Sequence, residues 1–207
     1  MSEPEFSWSR ITRWRGECKA RYHDVKRLPF VRHTGPWFKM LLTKNSRVLD
    51  IGASVHKTRK QAITQPQQEY FSLDIDPAGD FDFHSFDDIP DDQLFDVMIA
   101  HQVLEHVKIS EAYSIVQSAY DHLVTGGYLM VTVPNPMHPI RQWSDVTHIT
   151  AWPYFDLYGL FREAGFTITK FARYNKYGRP KSPFTYIAAI EFRMDWADGL
   201  VIIGQKP

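Results

Sequence analysis

The sequence predicts an α/β protein with a doubly wound, mostly parallel sheet. Three observations carry this. Short apolar segments of strand length alternate with segments of helical period, the pattern of βαβ units covered on both faces. The first of these strands, Val48-Leu49-Asp50-Ile51, runs into the small-residue turn Gly52-Ala53-Ser54, and open sheets bind ligands at such carboxyl ends. Carboxylates then recur at the ends of the early strands, at Asp50, Asp74 and Asp82. A charge at a strand end has no packing role and needs a polar partner.

The elements follow in order. Residues 1–44 are rich in Trp, Arg and His, and Trp8, Trp14, Trp37 and Phe38 are too apolar for a disordered tail. One or two helices are expected there, an extension and lid ahead of a main domain over 45–207. Val48–Ile51 is the first strand and residues 56–64 a short helix. Tyr70–Asp74 is the second strand, Phe81–Phe83 a short third and Phe95–Ala100 the fourth. Gln102–Val107 and Ser110–Leu123 read as helical. In the latter, Ala112, Ile115, Val116, Ala119 and Leu123 mark one buried face, and Gly126-Gly127 is expected to end it. Tyr128–Val133 is the fifth strand, stopped by Pro134. A helix over 152–164 closes at Gly165. Phe166–Phe171, Tyr186–Phe192 and Leu200–Ile203 supply late strands, and Tyr177–Pro183 reads as a loop.

At 207 residues the chain fits one domain with enough core to fold alone. A net charge of +0 excludes a global pull toward nucleic acid or anionic membrane. No apolar run approaches the ~20 residues of a membrane span. The start Met1-Ser2-Glu3-Pro4-Glu5 lacks the basic and apolar regions of a signal peptide. The single cysteine, Cys18, allows no internal disulfide, so a reducing cytoplasm is the expected setting. Charge is segregated. Residues 1–40 carry nine Lys/Arg against four Asp/Glu, and residues 74–121 twelve Asp/Glu against one Lys/Arg. Solvated faces would explain this, as would a basic segment that folds over a site or steers an anion to it.

A nucleoside-bearing cofactor lying across the strand ends would meet the carboxylates in order. An acid after the second strand suits ribose, since a carboxylate accepts from both hydroxyls. An acid near the third suits an exocyclic amine, with Phe83 against the ring. The motifs that follow make a resemblance explicit. Val48–Ser54 resembles motif I of the class I S-adenosylmethionine-dependent methyltransferases, and Leu73-Asp74-Ile75-Asp76 their acidic second-strand motif. Phe95–Val107, containing Leu104-Glu105-His106, is similar to their fourth-strand motif. Leu123–Leu129 and Glu163-Ala164-Gly165-Phe166 resemble the segments that lead into strands five and six. The match spans roughly residues 46–171, in order.

This resemblance implies a Rossmann-like methyltransferase fold of seven strands, the last antiparallel, with S-adenosylmethionine as methyl donor. By position it implies that Gly52, Ala53 and Ser54 approach the methionine part and that Asp50 faces its amino group. Asp74 would hold the ribose and Asp82 and Phe83 the adenine, with Ile75 also among the cofactor-binding residues. His101 and Gln102 would line the methyl-transfer end. Ser54 stands where the family usually has a second glycine; there it can bond the cofactor or cap the next helix.

Methyl transfer needs alignment of donor and acceptor, and a general base if the acceptor is a hydroxyl. His148, in Asp145-Val146-Thr147-His148, and His106 are the candidate catalytic residues; His138 is a third. Asp145, His138 and His148 lack a compact ligand spacing, so no metal is expected. Asn135-Pro136 reads as a strand-ending turn that shapes the acceptor pocket. Trp143, Trp152, Tyr154 and Phe155 cluster near His148 as core or as a stacking surface. Arg141 and the arginines of residues 10–32 could pair with a phosphate or carboxylate on the acceptor. The expected function is methyl transfer to a small molecule or glycan, at oxygen, without nucleic acid as partner. The alternative is a methyltransferase fold without catalysis, acting as a cofactor-binding or partner subunit. A nicotinamide-dependent enzyme fits less well, because the turn lacks that motif's spaced glycines. Oligomeric state is left open.

Overall fold

The computed structural model describes residues 7–176, 182–183, 187 and 190–207. Its strands are β1 (Phe30–Val31), β2 (Arg47–Ile51), β3 (Glu69–Leu73), β4 (Phe95–His101), β5 (Leu123–Pro134), β6 (Thr167–Tyr174) and β7 (Gly199–Gln205). Among the described residues they form one sheet in the order β1-β6-β7-β5-β4-β2-β3. Only β7 runs antiparallel, to β5 and to β6; the other pairs are parallel. The helices are α1 (Trp8–Thr12), α2 (Arg15–Tyr22), α3 (Gly35–Leu41), α4 (Ile109–Asp121) and α5 (Tyr154–Glu163).

Alternation along each central strand builds two cores. Leu49 and Ile51 of β2, Met98 and Ala100 of β4 and Leu129, Val131 and Val133 of β5 share one core with α4 and α5 residues such as Val116 and Leu160. Val48, Val97, Ile99 and Met130 point the other way and pack with Phe38 of α3. Strands buried on both faces read as near-continuous apolar runs, as these do. Asp50 interrupts its run on the Val48 side, two residues on.

The seven strands among the described residues are not the set that the sequence pattern offers. Residues 81–83 form no strand, only an isolated parallel bridge between Leu73 and Phe83. The loop is held instead by Asp82, which accepts from Ser72 N–H (2.8 Å) and Ser72 Oγ (2.7 Å). The seventh strand is β1, from the amino-terminal segment. The expected helix at 56–64 is a 3-10 turn over Thr58–Ala62, and Lys57 stands at its cap position, so Ser54 does not cap it. Gly126-Gly127 do not end α4. That helix stops at Asp121, and the glycines lie inside β5. A Cβ on Gly127 would meet the carbonyl oxygens of Val124 at 2.9 Å and Asp96 at 3.1 Å, so close strand packing requires that glycine. The loop expected at Tyr177–Pro183 lies largely outside the described residues, and the described residues of Tyr186–Phe192 do not form the expected strand. Ile187, Ile190 and Glu191 are helical.

Three arginines of the basic amino-terminal segment are spent on α5. Arg10 Nε and Arg13 Nη2 each lie 2.7 Å from the buried Glu163 carboxylate, which also receives Trp14 Nε1–H. Arg15 clamps Asp156 with two bonds, of 2.7 and 3.0 Å. These acids face the core side of the helix, and a buried carboxylate needs such partners. Beyond them, Arg173 of β6 donates to the carbonyls of Lys26 and Leu28, and Pro29 and Val31 accept from the β6 backbone and Asn175. Of residues 1–44, those that reach a cavity over the strand ends are Arg32–Gly35, Phe38 and Lys39.

Candidate functional site

The turn after β2 is stitched to β3. Gly52 and Ala53 N–H both donate to the Leu73 carbonyl, at 2.8 and 3.2 Å. Gly52 has φ +68°, and a Cβ there would lie 2.5 Å from Val103 Cγ2. Both facts demand glycine. Ser54 also takes a left-handed backbone, φ +55°, at the position where a second glycine would be relaxed. Its N–H donates to Asp74 Oδ2 at 2.9 Å, and Asp76 N–H donates to Asp74 Oδ1 at 3.1 Å. Asp74 thus bridges the first two strand ends. Ile75 beside it is exposed. Asp82 is exposed and engaged with Ser72, and its hydrogen bonds and Lys57 hold its carboxyl below the usual range despite desolvation. Phe83 stacks on Phe71, with centroids 6.1 Å apart, and is partly buried in that contact.

Asp50 is buried, and burial raises its carboxyl to about 6. The hydroxyl of Tyr70, donating to Oδ2 at 2.7 Å, and the charge of Arg59 oppose that rise. Asp50, Gly52, Ala53, Ser54, Arg59 and His101 line one cavity of about 190 Å³. A carboxylate and a guanidinium on the wall of one small cavity match the ammonium and carboxylate of an amino acid. The site therefore fits the methionine end of the expected cofactor.

His101 closes β4. Its Nδ1 lies 2.7 Å from Thr132 Oγ1, and burial, with Arg59 nearby, lowers its pKa to about 4. The ring is neutral at physiological pH and does not repel a cationic ligand. His101 also lines two wider cavities. One, about 460 Å³, includes Gln102, His106, Arg141, Asp145 and His148. The other, about 520 Å³, is walled by Arg32, His33, Lys39, Arg59 and Lys176. Gln102 takes a left-handed backbone, φ +57°. Its side-chain carbonyl accepts from Tyr174 OH (3.3 Å) and Val133 N–H (3.2 Å), and its amide faces Glu105 Oε1 at 3.3 Å.

His106 and His148, forty-two positions apart, come together with ring centroids 4.9 Å apart. The Thr147 hydroxyl donates to Asp145 Oδ1 at 2.6 Å, so it and the Thr147 carbonyl receive the Nδ1–H of His106. His148 Nδ1 lies 3.0 Å from the Gln142 carbonyl, which can only accept. The network assigns both protons to Nδ1 and leaves both Nε2 lone pairs open. Glu105 lies beneath them, fully buried, and burial pushes its carboxyl up to about 8.

Other expected residues lie elsewhere. His138 Nδ1 accepts from the backbone N–H groups of Ile140 and Arg141 and shapes that loop. Asn135 is buried and binds Asp195 and the Ala197 carbonyl, so it locks the loop to the segment before β7 rather than lining the pocket. Trp152 is core, its Nε1–H on the Leu104 carbonyl; Phe155 packs under Arg15, and Trp143 is exposed. None of these aromatics lines the cavities described. Tyr70, Arg59, Tyr174 and Glu105 were missed. For Glu105 a signal existed: a carboxylate at an apolar position beside Leu104.

The fold and its glycine turn, with acids at successive strand ends, define a class I methyltransferase. A family model described as a methyltransferase domain matches residues 25–170, well over half of the chain, and the chain belongs to that family, whose cofactor is S-adenosylmethionine. Solved structures agree on the fold. An S-adenosylmethionine-dependent methyltransferase from Archaeoglobus fulgidus is 19% identical, with TM-score 0.58, over 99% of this chain and 100% of that one. One from Methanosarcina mazei is 16% identical, with TM-score 0.59, over 83% and 97%. A methyltransferase chain from a Haloferax volcanii complex with the Trm112 methyltransferase activator is 18% identical, with TM-score 0.60, over 95% and 97%. No curated protein matches by sequence. Among the described residues no helix is long and apolar enough to cross a membrane.

Proposed function

We propose that this protein transfers a methyl group from S-adenosylmethionine to an oxygen of a small molecule or glycan. The observation that carries this reading is the meeting of three cavities at His101, one sized for an amino-acid end and two open beside it. The bound cofactor would supply an electrophilic methyl group on a sulfonium. Asp50 and Arg59 hold the methionine end, Asp74 the ribose, and Asp82 with Ile75 and Phe83 the adenine side. Gln102 and neutral His101 border the place of transfer. As the new O–C bond forms, the S–C bond breaks, the sulfur takes the electron pair and the acceptor hydroxyl loses its proton. His106 and His148 line the cavity into which that proton leaves. The wall of Arg32, Lys39 and Lys176 supports an acceptor that carries a carboxylate or phosphate. A net charge of +0 speaks against nucleic acid.

Calorimetry on the purified protein tests this reading. S-adenosylhomocysteine is expected to bind in the micromolar range, and absence of binding by folded protein overturns the reading. Asp74→Ala should weaken binding roughly 10- to 100-fold, the worth of hydrogen bonds to a charged group, with the circular dichroism unchanged.

Affinity should also depend on pH through Asp50. Only its carboxylate pairs with an ammonium, so below about pH 6 binding falls roughly tenfold per unit. The folded carboxyl holds its proton more tightly than the unfolded one, so the same group makes stability fall as pH rises toward 6 and level off above it. Opposite trends in affinity and stability on this limb, both absent in Asp50→Asn, identify the residue.

The second reading is a partner subunit that binds the cofactor without turnover. The likeness to the Haloferax volcanii chain found with an activator supports the partner in this reading, not the lack of turnover. Bound cofactor without turnover across a broad panel of acceptors would favour it.

A further inference from the structure

We propose that Glu105, His106 and His148 form a binding site for a zinc-like divalent cation, with open coordination positions that take an oxygen of the acceptor. One ligand atom of each lies within 4.8 Å of the others, the only such group of three His, Cys, Asp or Glu among the described residues. Two imidazoles and one carboxylate are the protein set of an open catalytic zinc site and suit other borderline divalent metals.

An independent observation points to a missing ligand. Glu105 is fully buried, and its Oε2 has no hydrogen-bond partner. Its other oxygen faces the Gln102 amide, at 3.3 Å. A buried carboxylate oxygen left without a partner is expensive, and a cation is the partner that satisfies it.

The surrounding bonds are those a metal site needs. Each imidazole gives its Nδ1–H to a backbone carbonyl, His148 to Gln142 and His106 to Thr147, and the hydroxyl of Thr147 is itself held by Asp145. Such bonds fix the tautomer and turn Nε2 outward as the ligating atom. Asp145 Oδ2, 3.9 Å from His148 Nε2, adds a second negative charge at the rim. Tetrahedral zinc at about 2.0–2.1 Å separates its ligands by roughly 3.4 Å, so side-chain adjustments on the order of an ångström close the site. Sequence spacing concealed it, because Glu105 and His106 are adjacent and His148 reaches them only through the fold.

The role of the cation rests on the proposed transfer to oxygen; its binding does not. His106 and His148 line the cavity that shares His101 with the cofactor cavity. An acceptor hydroxyl ligated there would be held toward the methyl group and acidified, giving its proton to solvent.

Tag-free protein stripped with a chelator is titrated with Zn2+ by calorimetry, and with Co2+ by visible absorption. One equivalent should bind. His148→Ala and Glu105→Gln should each weaken binding by roughly 100-fold or more, and Thr147→Val by roughly tenfold. S-adenosylhomocysteine affinity of His148→Ala should stay at the wild-type value. No saturable binding by the wild type, or equal binding by the variants, overturns the site. Metal binding without S-adenosylhomocysteine binding leaves the site standing and removes the transferase reading.

Discussion

Gly52→Ala is expected to weaken S-adenosylhomocysteine binding by roughly 100-fold or more. The added Cβ would lie 2.5 Å from Val103 Cγ2, a separation that real side chains do not tolerate, so the turn or the segment after β4 must move. A left-handed backbone also costs an alanine about 1–2 kcal/mol. The turn is tied by two bonds to the Leu73 carbonyl and by Ser54 N–H to Asp74, so its displacement drags both strand ends. A misplacement of about 1 Å at a site is enough for a hundredfold loss. Gly126→Ala is the control. It has φ +81° with nothing within 4 Å of the added Cβ, so it bears similar backbone strain far from the strand ends. Wild-type affinity in Gly52→Ala would show that the turn does not hold the cofactor.

Arg173→Ala should lower stability by about 3–5 kcal/mol, the cost of breaking a buried ion pair. The guanidinium donates to Asp195 Oδ1 at 2.7 Å, to the Lys26 carbonyl at 2.6 Å and to the Leu28 carbonyl at 3.3 Å. Both charged side chains are buried, at 8% and 6% exposure. Removing the cation leaves Asp195 with only the Asn135 amide on its side chain and frees the two carbonyls that tether the chain before β1. Urea denaturation measures the loss. A double variant that replaces both charges with apolar residues should recover much of it, since the larger part of the penalty is the stranded carboxylate. A loss below about 1 kcal/mol would class the pair with exposed bridges.

The parts of the fold that were legible in the sequence were those with a period. Val48–Ile51, Phe95–Ala100 and Tyr128–Val133 alternate between two cores, and each stands where expected. Phe81–Phe83 has the same apolar look and failed as a strand, because Asp82 turns back onto Ser72 and ends the pairing after one bridge. Phe30–Val31 offered only two residues, too short for any period, and pairs because its neighbours are fastened by Arg173. The glycines at 126 and 127 were read by their usual role at helix ends, whereas strand crowding is what selects Gly127.

The candidate site divides along the same line. Asp50, Gly52, Asp74 and His101 were visible because each stands at the end of a recognisable strand. Tyr70 and Arg59, which set the ionisation of Asp50, were not, since nothing local marks a strand tyrosine or a turn arginine as facing a particular carboxylate.

By itself, then, the sequence determined the parallel sheet and its strand-end turn, since period and turn chemistry act over a few neighbouring residues, and its motifs carried the resemblance that implies the cofactor class. The tertiary structure alone decided three things. Arg10, Arg13 and Arg15 of the amino-terminal segment are bound to α5, whereas Arg32 lines a cavity over the strand ends. Asn135 locks a loop rather than lining a pocket. His148 joins Glu105 and His106. Each depends on partners distant in sequence, reached through short helices or irregular loops whose course no repeating pattern sets.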